Sequence, residues 1–209
     1  MADFKAIADD CAASVLQYSE DNDWTVHKTT KNGRVSYKKS RDWDGYVYRC
    51  DFEVDTSPVN VLELITNIEK HLKWNKNMKE IFVLTSLSED IQIRHSISPS
   101  AMMGLISPRD FCTVIGKVRY PDKNTSMVHY TSIEYDHCPE TSKYVRGHNY
   151  PSGTVIRTAE GDPDKSIVVN ITQFDAKLRP RSLAEKVYPS VLLEYSMYLK
   201  EGAKTLAEP

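Results

Sequence analysis

Apolar residues recur every third or fourth position at the start of the chain, every second position through most of its length, and every third or fourth again near the end. Phe4, Ile7, Ala8, Cys11, Val15, Leu16 and Tyr18 make a helical stripe from Asp3 to about Tyr18, with Asp3 as its N-cap. Residues 24–28 then read as a strand, Lys31-Asn32-Gly33-Arg34 supplies an Asn-Gly turn, and residues 35–38 return. A third strand fits residues 47–54. Ser57-Pro58 opens a helix in the favoured order of cap and proline, with Val59, Leu62, Leu64, Ile65 and Ile68 as its expected buried face. A short helix through His71, Leu72 and Trp74 follows.

Six alternating or apolar runs come next, at 79–87, 90–98, 110–120, 126–135, 144–158 and 166–178. Polar, proline-bearing turns such as 120–124 and 160–165 separate them. The closing segment, 182–206, carries Leu183, Val187, Val191, Leu192, Tyr195, Leu199 and Ala203 on one helical face. Pro189 removes a backbone donor inside it, so a kink or break is expected there. The layout is α+β in a single domain spanning 1–209. About nine antiparallel strands curved around one long helix leave an interior wide enough for a small ligand.

Composition narrows the function. The 209 residues are 40% hydrophobic and 27% charged, and no window approaches the roughly 18 apolar residues of a membrane span. A net charge of −2 argues against a nucleic-acid binder, because phosphate contacts need clustered Lys and Arg. The start shows no secretory apolar run and the end no lipidation signal, so the expected location is cytoplasmic and the four cysteines are expected to be reduced thiols. The sequons at Asn124 and Asn170 are then expected to stay unmodified. Six histidines show no zinc spacing, and no nucleophile elbow, P-loop or dinucleotide fingerprint is present, so neither metal nor cofactor is expected. Lys38-Lys39, and Lys28 with Lys31, read as solvated surface.

The loop from Ser96 to Phe111 stands out. Met102, Met103, Leu105 and Ile106 lie between Pro99 and Pro108, and a connection so apolar is expected to cover a cavity, with flexible methionine suited to an irregular apolar surface. Arg109 and Asp110, at its end, read as a local ion pair that anchors the loop rather than as a catalytic pair.

Residues 106–111 (Ile-Ser-Pro-Arg-Asp-Phe) resemble the most recognisable motif of the START family of lipid-transfer domains. Residues 72–77 (Leu-Lys-Trp-Asn-Lys-Asn) are similar to its tryptophan motif, and residues 144–153 (Tyr-Val-Arg-Gly-His-Asn-Tyr-Pro-Ser-Gly) to its Val-Arg-Gly strand, in order and over nearly the whole chain. Residues 98–102 look most like those of the small, single-domain sterol carriers. The resemblance implies a helix-grip fold, a curved antiparallel sheet wrapped around the C-terminal helix with an internal tunnel for one lipid. The 99–108 loop would be the flap over it, hinged near Gly104, Pro108 and Pro189.

By the same resemblance, Ser96 and Ile115 occupy places where cholesterol-binding relatives carry an acidic residue and an arginine, so the tunnel here is blander. Ser98, Asn75, Asn149 and Gln173 remain either as partners for a ligand hydroxyl or as satisfied structural groups. Met102, Met103 and Leu105 would face the ligand from the flap, and Tyr188, Leu192 and Tyr195 from the last helix. The expected function is non-enzymatic binding and intermembrane transfer of one hydrophobic lipid, a sterol such as cholesterol, by a monomer making transient membrane contact. Storage or sensing of a carotenoid or bile-acid-like steroid is the alternative. A grip-fold enzyme, a thioesterase or cyclase, is the third reading, and no motif places a carboxylate in the tunnel for it.

Overall fold

The structure, a computed structural model, describes residues 3–101 and 104–207, with side chains as far as Thr205. Helix α1 (Phe4–Glu20) begins where the Asp3 carboxylate accepts from the Ala6 amide at 3.1 Å. Strands β1 (Thr25–Thr30), β2 (Gly33–Lys39) and β3 (Tyr46–Val54) follow, then helices α2 (Pro58–Thr66) and α3 (Ile68–Trp74). Strands β4 (Glu80–Ser86), β5 (Ile91–Ile97), β6 (Arg109–Tyr120) and β7 (Thr125–Ser132) come next, then the short β8 (Val145–Arg146) and β9 (His148–Asn149). The chain continues through β10 (Ser152–Ala159), β11 (Asp162–Thr172), the short β12 (Phe174–Asp175) and helix α4 (Arg181–Ala207).

Nine strands form one path in the order β1-β2-β3-β11-β10-β7-β6-β5-β4, every neighbour antiparallel. The expected run at 144–158 is divided, since β8 turns aside to lie parallel to the start of β6, and β9 pairs with β12. The sheet is covered on both faces. On the outer one, Cys11, Ala12, Val15 and Tyr18 of α1 pack with Val47, Met127, Val155, Val169 and Ile171. On the inner one, α2, α3 and α4 pack through residues such as Val61, Leu62, Trp74, Leu192 and Leu199 against Val35, Cys50, Phe52 and Val168. Strand β11 shows how period-two geometry serves both layers: Val169 and Ile171 face α1, while Val168 faces α4.

Two expectations need correction. Val59 is 62% exposed, because Val61 completes the stripe with Leu62, Leu64 and Ile65 and rotates the buried face of α2 away from it. No break occurs at Pro189; α4 runs through it unbroken, and Ala184 and Tyr188 before it join the same core as Leu192, Leu199 and Ala203 after it. Gly202 brings α4 onto α3. A Cβ there would lie 2.7 Å from the Trp74 Cβ, and the Trp74 indole in turn donates to the Leu64 carbonyl at 2.8 Å.

Candidate ligand cavity

Strand alternation and the α4 stripe leave space between them. A cavity of about 360 Å³ lies between the inner face of the sheet and α4, toward the low end of the roughly 300–1,000 Å³ usual for small-molecule sites. Helix α4 contributes Val187, Tyr188, Val191, Leu192 and Tyr195 to its wall. Aromatic contacts stiffen that wall: the Tyr188 ring stands edge-on to Tyr48 at 6.0 Å and meets Phe174 at 4.3 Å.

The polar groups in the wall are largely committed to one another. The Asn170 amide donates to the Thr154 hydroxyl at 2.9 Å, and the Thr172 hydroxyl donates to Asn170 Oδ1 at 2.7 Å. The Asn75 amide nitrogen lies 2.8 Å from His71 Nε2, so that ring nitrogen accepts, and Nδ1 donates to the Ile65 carbonyl at 2.8 Å. Burial lowers the His71 pKa to about 4, leaving the ring neutral at physiological pH. Burial also pushes the Tyr130 and Tyr188 phenols up to about 12 and raises that of Tyr195, so these remain neutral hydrogen-bonding groups. No Asp or Glu among the described residues lines the cavity. The arrangement offers apolar surface and neutral polar groups, suited to holding an apolar body out of water.

The flap is folded by its own backbone. Ala101 and Ile106 exchange two hydrogen bonds, at 2.9 and 3.1 Å, and Gly104 between them takes φ +90°, which an L side chain rarely adopts. Its two ends are fastened by one serine. The Ser98 amide donates to the Arg109 carbonyl at 2.8 Å, and the Arg109 amide donates to Ser98 Oγ at 3.1 Å. Pro99, Ala101 and Ile106 face the cavity.

Of the residues singled out from sequence, Asn75, Ser96, Ser98, Ile115, Asn149, Tyr188, Leu192 and Tyr195 are brought together in the cavity wall. Met102 and Met103 lie outside the described residues. Leu105 does not face the cavity; the Ala101–Ile106 pairing turns the flap tip outward and leaves it 81% exposed. Gln173 is absent from the wall too. Its side chain is fully buried, accepting from Ser40 Oγ at 2.6 Å and donating to Asp42 Oδ2 at 2.6 Å and to the Pro151 carbonyl at 2.7 Å.

Arg109 and Asp110 form no ion pair with each other, because consecutive strand residues point to opposite faces. The Arg109 guanidinium donates to the carbonyls of Ala176 and Ser107 at the cavity mouth. Asp110, on the outer face, accepts from Arg146 at 2.8 Å and lies 2.9 Å from His95 Nε2. Sequence reasoning also missed Arg94, Thr113, Thr154, Asn170 and Thr172 in the wall. Asn170 and Thr172 had a signal, being alternate polar residues in the apolar second half, 167–172, of a strand covered there on both faces.

A largely apolar cavity gripped between a curved sheet and a C-terminal helix defines a ligand-holding grip domain. The chain belongs to the START-domain family, whose model matches residues 6–208. It is 34% identical to human StAR-related lipid transfer protein 6 over 99% of this chain and 94% of that protein. It is 27% identical to bovine StAR-related lipid transfer protein 5, over 95% and 94%. The solved structure of human StAR-related lipid transfer protein 5 superposes with a TM-score of 0.92 at 25% identity, covering 98% of each chain. The helix-grip architecture expected from the resemblance is therefore the one present.

Proposed function

We propose that this protein binds one hydrophobic lipid of sterol size in the cavity and carries it between membranes without chemically altering it. The observation that carries the reading is the cavity itself, at about 360 Å³ large enough for one compact ring system and walled on one side by Pro99, Ala101 and Ile106 of the flap. Enclosing roughly 400 Å² of apolar ligand surface, at about 25 cal/mol per Å², would supply on the order of 10 kcal/mol toward extracting a lipid from a bilayer. The likeness to StAR-related lipid transfer proteins over almost the full chain agrees with it.

Transfer requires the flap to part from α4, and the exposed Leu105 at its tip is the group that would touch a membrane first. No helix of the described residues is long and apolar enough to cross one. We place the protein in the cytoplasm as a monomer, a setting in keeping with the four free, buried cysteines.

The test is transfer of the fluorescent sterol dehydroergosterol between vesicles, with mass spectrometry of a solvent extract of the purified protein. Transfer above the spontaneous rate, abolished by Ile115→Trp that places an indole in the cavity, is the expected result. A folded protein that neither binds nor moves sterol would sink the proposal.

A further inference from the structure

Arg94 lies in the cavity wall. On β5, Arg94, Ser96 and Ser98 point inward, while Ile93 packs with Cys112 and Cys138 on the other face. Arg94 stands directly across from Thr113 on β6, with the neutral positions Ser96 and Ile115 to either side of this rung.

Its guanidinium is held from one side only. Nη2 donates to the Thr66 carbonyl at the end of α2 at 3.2 Å, and Nε donates to Gln92 Oε1 at 2.9 Å. No carboxylate among the described residues comes within 4 Å of it. Glu89 and Asp90 line a small polar groove on its outer side, where Asp90 is already paired with Lys117 at 3.3 Å. Nη1 has no protein partner among the described residues, yet it is not sealed from a small group. The hydroxyls of Thr113 and Ser96, on the same inner face, have no protein partner either.

The guanidinium and the two hydroxyls share one wall, and none of them is hydrogen-bonded to another. A guanidinium cannot accept a hydrogen bond, so whatever polar group of a ligand meets it must do the accepting. A cation facing an apolar cavity without a counter-ion is also costly, and a ligand bearing negative charge removes that cost. Arg109, the other arginine of the wall, donates through Nε to the Ala176 carbonyl and through Nη1 to Ser107, which ties it to the end of the flap rather than to the Thr113 rung.

We infer that Arg94, with Thr113 and Ser96, forms an anion-recognising site at the inner end of the cavity, which selects amphiphiles carrying a carboxylate or a similar acidic head on an apolar body. This rests on the cavity being a lipid site and specifies the class of lipid.

The experiment compares two matched pairs by displacement of bound dehydroergosterol: lithocholate against its methyl ester, and oleate against methyl oleate. An acid preferred about tenfold over its ester, in either pair, supports the site and shows which skeleton it takes. Arg94→Gln is expected to bring acid and ester within about twofold of each other. Should loss of the Thr66 contact prevent that variant from folding, Thr113→Val leaves the arginine in place and is expected to shrink the preference at least threefold. Equal binding of acid and ester in both pairs, or an undiminished preference in the folded variant, overturns the inference while retained sterol binding leaves the carrier reading intact. Failure to bind sterol at all removes both.

Discussion

Asp110 and Arg146 form an ion pair at 2.8 Å on the face of β6 turned away from the cavity, with the Asp110 side chain only 3% exposed. Burial acts to raise the Asp110 pKa, but the Arg146 and His95 hydrogen bonds and charges outweigh it and hold the carboxyl below its usual value. A carboxylate whose folded pKa is depressed adds stability above its unfolded pKa of about 3.9 and loses it as pH falls through the folded value. Asp110→Asn should therefore cost about 3 kcal/mol at pH 7, since it strands a half-buried arginine. Denaturant titrations should show the gap between variant and parent closing below about pH 4. A gap unchanged at pH 3 would mean that packing, not charge, is at work.

Gln173→Ala should cost about 2–3 kcal/mol, as it leaves the Asp42 carboxylate and the Pro151 carbonyl short of partners. Ligand affinity should be unchanged within about twofold, because the side chain lies outside the cavity wall. Thermal melting and sterol titration of one preparation measure both.

Ser98 joins the two ends of the flap through its hydroxyl and its amide. Ser98→Ala keeps the amide and removes the hydroxyl, for about 1 kcal/mol. Faster release of bound dehydroergosterol in stopped flow, with a smaller change in its equilibrium binding, is the expected outcome. An unaltered release rate would show that the flap opens elsewhere.

Leu105→Asp alters a side chain that is 81% exposed, so folding stability should move by less than about 0.5 kcal/mol. Vesicle co-sedimentation and transfer rate should both fall, while affinity for sterol in solution should not.

Much of this architecture could be read from residue order alone. The stripes on α1 and α4 and the alternation between them are local patterns, each legible within a window of ten or twenty residues, and the motif at 106–111 marked the flap before any coordinate. What stayed hidden depends on which strands become neighbours. Asp110 was paired with Arg109 in the sequence reading because the two are adjacent, whereas its partners stand 15 and 36 residues away on β5 and β8. Gln173 looked like a ligand group for the same reason: nothing near it reveals that Ser40 and Asp42, over 130 residues earlier, return to meet it. Arg94 sits in an ordinary alternating run, and nothing near it in the chain reveals that it meets the Thr66 carbonyl at the end of α2 and joins the cavity wall.

The cavity has a consequence for the life of the molecule between deliveries. Space of about 360 Å³ without cargo forgoes packing that other proteins keep in their interiors. The unloaded form is then the one most open to unfolding and proteolysis, and cargo supply becomes a control on how long each copy survives.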